Sequence, residues 1–294
     1  MNAKSKTLLV SHDAGGAYEL AAWAKHSLAA DDFDVLLAGP AVKIFEQAFS
    51  LLSSISLEDV LIPHYRQVIT STSGAEDWER RQIAQARQQQ IPVISVLDHW
   101  VHYRERFLLG QQPVYPDKIW VVDPYAYEIA KGLDGFPLVE QIENHHLNDM
   151  VAEIHALTSQ WSSSSTGTRV LYVSEPAESY GYNDLDALED FIKFLRQRPI
   201  SSKEGYCLRL RLHPKEPQGK YDTLVARYAD CVPIEISHGT SLAEDCAWSE
   251  WVVGCQTKAM VVALAAGKRV SSCLPATAPP LVLPHSGIER LFTQ

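Results

Sequence analysis

Short runs of aliphatic and β-branched residues alternate along this chain with longer segments whose apolar positions recur every three or four residues. The first kind suits a strand buried on both faces, and the second a helix packed against it. Strand-like runs stand at TLLVS (7–11), FDVLLAG (33–39), QVITST (67–72), IPVISVL (91–97) and KIWVVD (118–123). Helices are expected over Ala17–Ala29, from Val42, and over Glu76–Gln90. After a further helix near His146–Leu157 the texture turns polar in SQWSSSSTGT (159–168), a composition that favours a flexible joint. The alternation then restarts. Strands are expected at RVLYVS (169–174), YCLRLRL (206–212), VPIEIS (232–237), EWVVG (250–254) and RVSSC (269–273), the last of them. Helices are expected over Leu185–Gln197, Gly219–Tyr228, Leu242–Trp248 and Lys258–Ala266.

Strands that alternate with helices build parallel sheets. The chain therefore reads as α/β, with two Rossmann-like lobes over 1–158 and 169–294, a linker at 159–168, and a cleft between the lobes. Composition narrows the classes. A formal charge of −10 argues against a nucleic-acid partner, which calls for a basic face. Five cysteines, an odd number without a Cys-x-x-Cys pair, indicate neither a disulfide framework nor a zinc site. A short apolar start and the lack of an 18-residue apolar stretch point to the cytoplasm, with peripheral membrane association left open.

Ligands of open α/β sheets bind beyond the carboxyl ends of the strands, so the strand-to-helix turns are where chemistry is expected. The first is SHDAGGA (11–17), where Gly15 and Gly16 allow close backbone approach and His12 and Asp13 offer a base. Asp13 as a plain helix cap is the alternative. LDHWVHYRERF (97–107) mixes Asp98 with aromatics and arginines, a pattern suited to a sugar, with lobe packing as the alternative. In CLRLRLH (207–213), Leu208, Leu210 and Leu212 share one face, and Cys207, Arg209, Arg211 and His213 the other. Such a strand lies near an edge, or its polar face meets something charged. Pro214 stops it, leaving His213 and Lys215 at the sheet's lip. Finally, in VVGCQTK (252–258) a strand breaks at Gly254 and a helix starts near Gln256, Thr257 and Lys258, whose free N–H groups, with the Thr257 hydroxyl, make an anion seat; Thr257 as a plain cap is the alternative. Glu175, ending RVLYVSE, is a further candidate for holding a base or ribose.

Taken together, HPKE at one strand end and Gly-x-x-Thr at another resemble the bacterial glycosyltransferases of the GT-B architecture. The likeness is greatest to those using CMP-activated acidic sugars: sialyl-, polysialyl- and capsular Kdo transferases. In that group a His-Pro motif and a Ser/Thr pair hold the donor phosphate, and a carboxylate of the N-terminal lobe deprotonates the acceptor. His213 then matches the motif's His, Thr257 one hydroxyl of the pair, and Asp13 the base, with Asp98 as the other candidate. Gln256 stands where the second hydroxyl is expected, so one phosphate contact differs. The resemblance implies a nucleotide-sugar donor, CMP-linked in the specific version, a glycan or glycolipid acceptor, and neither a bound cofactor nor a metal ion. Rival readings are a nucleotide-sugar hydrolase or epimerase, a CDP-polyol phosphotransferase, and a non-catalytic nucleotide-sugar binder of capsule assembly. The donor reading expects His213 and Thr257 to converge, within a few ångströms, on one anion pocket.

Overall fold

The computed structural model describes residues 6–49, 54–57, 60, 62–74, 76–161, 167–197 and 205–292. The chain divides into two compact units, Met1–His146 and Leu147–Gln294. The expected boundary at 159–168 lay further along, and its residues 162–166 fall outside the described residues.

The first unit carries strands β1 (Thr7–Ser11), β2 (Phe33–Leu37), β3 (Gln67–Thr70) and β4 (Val93–Leu97), then a small hairpin of β5 (Leu108–Leu109) and β6 (Gln112–Pro113), then β7 (Lys118–Val121) and β8 (Leu138–Gln141). Its six-stranded sheet runs in the order β2-β1-β3-β4-β7-β8, parallel throughout. Helices α1 (Ala14–Ser27), α2 (Ala41–Ala48), α3 (Trp78–Gln88) and α4 (Pro124–Lys131) cross over between strands, and α5 (His145–Thr158) follows β8. Leu9, Val35, Ile69 and Val96 pack against Ala17, Leu20 and Phe45 in its core.

The second unit holds β9 (Thr168–Val173), β10 (Tyr206–Arg211), β11 (Ile234–Ile236), β12 (Trp251–Gly254), β13 (Arg269–Ser272) and β14 (Glu289–Arg290). Interspersed are α6 (Asp184–Gln197), α7 (Asp222–Tyr228), α8 (Leu242–Trp248) and α9 (Lys258–Ala265). This sheet is also parallel, in the order β11-β10-β9-β12-β13-β14. Counted from β9 that is 3-2-1-4-5-6, the dinucleotide-fold order, whose direction reverses between β9 and β12. Tyr172, Phe191, Leu208, Leu210 and Trp251 form its core.

The sheets match the sequence reading, with additions. RVSSC is not the last strand, because β14 pairs with it through Ser271 and Ser272. Both readings of the polar face of β10 hold, since the strand lies beside the edge strand β11 and its polar face meets a charged partner. Arg209 and Arg211 both reach Asp245 of α8, at 3.3 and 2.7 Å, and the Asp245 side chain is fully buried. Arg209 also lies 4.0 Å from the Trp248 ring centre. The alternation in RLRL therefore serves a buried ion network.

Candidate functional site

Each sheet has one reversal point, and the candidate residues gather at both. In the first unit the reversal lies between β1 and β3. Asp13 is the cap residue of α1, yet its carboxylate makes no capping bond. It turns aside instead: Oδ1 meets His12 Nδ1 at 2.9 Å, while Oδ2 accepts from Ser73 Oγ at 2.9 Å and from the Gly74 N–H at 3.3 Å. Burial alone would push this carboxyl up, but the bonds from His12, Ser73 and Gly74 outweigh it and hold it below the ordinary carboxylate value.

The backbone of His12 is locked by Glu79 of α3, whose Oε1 accepts the His12 N–H at 2.9 Å and the Ser71 hydroxyl at 2.8 Å. Glu79 is 1% exposed, and burial raises its carboxyl above the ordinary value. Its role was not visible in sequence, because 67 residues separate it from His12. On the other side of the ring, Gly39 has φ +53°, and a Cβ there would stand 2.6 Å from His12 Nε2. Glycine is required at 39 both for the left-handed backbone and for the imidazole against it.

The two glycines after Asp13 have equally specific neighbours. A Cβ at Gly15 would lie 2.0 Å from Oδ2 of Asp98, and one at Gly16 would lie 2.6 Å from Cβ of Ser71. Close packing of the ends of β3 and β4 thus accounts for both. Asp98 is brought onto the first turn of α1, where it also pairs with Arg106 Nη1 at 3.4 Å. That guanidinium donates to Thr72 Oγ1 at 3.3 Å. Trp100 is anchored through its Nε1 to Asp123 at 2.9 Å, and Tyr103 is buried beside them. The 98–107 turn is built mainly as packing around one ion pair.

In the second unit, β9 lies between β10 and β12, and loops from all three meet. Ser174 Oγ accepts the His213 N–H at 3.0 Å, and Glu175 Oε1 accepts the Gln256 N–H at 2.8 Å. The Tyr182 hydroxyl also donates to Glu175 Oε1. Glu175 is 6% exposed; burial pushes its carboxyl up to about 7, against the opposing pull of Tyr182 and the Gln256 N–H.

The HPKE turn is held by its own last residue. Glu216 Oε2 accepts the His213 N–H at 2.9 Å and the Ser174 hydroxyl, and Oε1 accepts from Lys220 and Tyr221, each at 2.8 Å. Burial works against ionisation, but these donors prevail and hold the Glu216 carboxyl at about 2. The Lys215 N–H donates to His213 Nδ1 at 3.2 Å, so a neutral imidazole keeps its proton on Nε2. Burial lowers the His213 pKa below its ordinary value, which favours that neutral donor. The Lys215 side chain is exposed.

Across β9, Thr257 caps α9 by accepting the Ala259 N–H at 3.4 Å, and Lys258 opens that helix half-buried. The Gln256 side chain is turned inward, accepting the Val282 N–H at 3.4 Å. Gly254 is explained by strand contact, since a Cβ there would lie 2.8 Å from the Val173 carbonyl oxygen. His213 and Thr257 share one sheet edge with β9 between them, so their strand ends stand about 10 Å apart. The Asp-x-Asp triplet Asp184–Asp186 opens α6 on the same side, with Asp184 engaged by Lys220 and Tyr221.

No family model matches the sequence, and no curated protein matches it. Solved structures do. A putative UDP-N-acetylglucosamine 2-epimerase from Listeria monocytogenes superposes with a TM-score of 0.62 at 13% identity, over 91% of this chain and 79% of that one. The UDP-GlcNAc 2-epimerase from Methanocaldococcus jannaschii gives 0.56 at 9% identity, over 91% and 83%. MurG from Acinetobacter baumannii gives 0.52 at 12%, over 91% and 78%. These structures have GT-B-type folds, and the fold of this chain is GT-B-like: two α/β units, each on a six-stranded parallel sheet.

Proposed function

We propose that this chain is a nucleotide-sugar-dependent glycosyltransferase whose donor phosphate is seated at the β9/β12 reversal of the second unit. The observation that carries the reading is the joining of three strand ends through Ser174 and Glu175, with His213 on one flank and Thr257 on the other. The likeness in fold to enzymes named for UDP-GlcNAc agrees with a nucleotide-sugar ligand. Within this reading a CMP-linked acidic sugar and a surface-glycan acceptor are the specific version.

Chemically, the acceptor hydroxyl attacks the anomeric carbon as the bond to the donor phosphate breaks. Negative charge then builds on that phosphate. The Nε2–H of His213 and the Thr257 hydroxyl stabilise it from two sides, with Lys215 adding charge. A base takes the acceptor proton, and within the first unit the candidate for that role is the His12–Asp13 pair. In that pair Asp13 fixes the imidazole, and His12 Nε2 is the nitrogen not engaged by Asp13. Asp98 fits the base role less well, since it is paired with Arg106 and packed on Gly15.

Thermal-shift measurements with CMP, CDP, UDP, GDP and dTDP test the seat. One of them should raise the melting point of the wild type and of Asp13→Asn, but not of His213→Asn combined with Thr257→Val. No shift with any of the five at millimolar concentration sinks the reading. Product analysis with and without an acceptor then separates transfer from hydrolysis or epimerisation.

A further inference from the structure

The seat contains a carboxyl group that ought not to be there. Glu175 is 6% exposed and accepts the N–H of Gln256, the residue just before the cap of α9. An ionised side chain at that point holds the positive end of the helix against an incoming phosphate. The surroundings offer it little compensation. Tyr182 donates from its own loop, and Cys255 approaches from the end of β12. Glu216 after β10 and Asp184 at the start of α6 add like charge, while Lys220 is committed to both of those carboxylates. His213 is tied through its N–H to Glu216 rather than to Glu175. Both bonds to Glu175 end on Oε1, so Oε2 is the oxygen to carry a proton.

We infer that Glu175 is a specificity-determining residue of the donor seat, which admits a phosphodiester anion only when the Glu175 carboxyl is protonated. The inference rests on the donor reading above. Protonation converts a repelling acceptor into an O–H donor beside the phosphate, so binding takes up one proton from solvent. Ionisation near neutral pH makes the exchange accessible under ordinary conditions.

Isothermal titration of the whole chain with UDP-GlcNAc and CMP-N-acetylneuraminate tests this, since neither phosphate titrates between about pH 6.5 and 9. Wild-type affinity should fall about tenfold per pH unit above roughly 7.5, with proton uptake approaching one in buffers of different ionisation enthalpy. Glu175→Gln keeps an acceptor for the Gln256 N–H, and its affinity should stay constant within about twofold and take up no proton. Tyr182→Phe removes a bond that favours the ionised form, so the break should move to higher pH. A pH-independent wild type, or a Gln variant with the wild-type slope, overturns the inference. A second readout needs no ligand: the Glu175 carboxyl carbon should titrate near 7 by NMR, and titration in the ordinary glutamate range overturns the inference whatever binds. If Glu175 titrates near 7 but neither nucleotide sugar binds at any pH, the donor reading has failed and the inference falls with it.

Discussion

Replacing Glu216 by Gln isolates what holds the HPKE turn in shape. The amide keeps the carboxylate's outline, but it places a donor where the protein already presents donors on both sides: Lys220 and Tyr221 at Oε1, Ser174 and the His213 N–H at Oε2. A carboxyl moved from 4.5 to about 2 corresponds to about 3 kcal/mol favouring the ionised form in the folded state. The Glu216 side chain is 1% exposed, so solvent screening takes little from that figure. Because the folded value lies below the unfolded one, this stabilisation is complete above about pH 4.5 and is lost as the pH falls through about 2. Urea unfolding of the full chain, followed by tryptophan fluorescence, should place Glu216→Gln about 3 kcal/mol below wild type at pH 7. The gap should narrow from about pH 4.5 downward and close only as the pH falls through about 2. A difference under about 1 kcal/mol at pH 7, or one that persists unchanged to pH 3, would refute the assignment.

Two further substitutions probe the frame around the sites. Gly15→Ala drives a methyl to 2.0 Å from the Asp98 carboxylate. It should lower stability by about 1–3 kcal/mol, and Asp98→Ala in the same chain should recover much of the loss, as read from melting temperatures. Asp245→Ala leaves Arg209 and Arg211 without their shared buried partner and removes an acceptor from the Ser237 and Thr240 hydroxyls, which keep each other. A loss of about 3–5 kcal/mol in chemical denaturation is expected, and a loss below about 1 kcal/mol would show that Arg209 is held by Glu235 and Trp248 instead.

What the sequence could reveal depended on how far each cause reached along the chain. Strands buried on both faces announce themselves as unbroken aliphatic runs, and TLLVS at 7–11 has the bounds the pattern assigns. The elements it missed lack that signal. β8 is an edge strand whose Leu138 is 62% exposed, and β14 has two residues. At the sites, the turns were legible because glycine, proline and histidine act locally. Their engagements were not, since each joins residues far apart: Asp13 with Ser73, Glu175 with Gln256, Arg211 with Asp245. Glu216 is the exception that could have been found. It follows His213 by three residues, the spacing at which a carboxylate folds back onto a turn's first N–H, as Glu244 does onto Ser241. A polar turn in a sequence shows which donors and acceptors exist, but only the packed structure shows which of them the fold has already engaged. Gly15 and Gly16 illustrate the point: read alone they invite a phosphate, yet the fold sets Asp98 and Ser71 against them. At Glu175 the same accounting runs the other way, for there the fold leaves a buried carboxyl whose charge has yet to be matched.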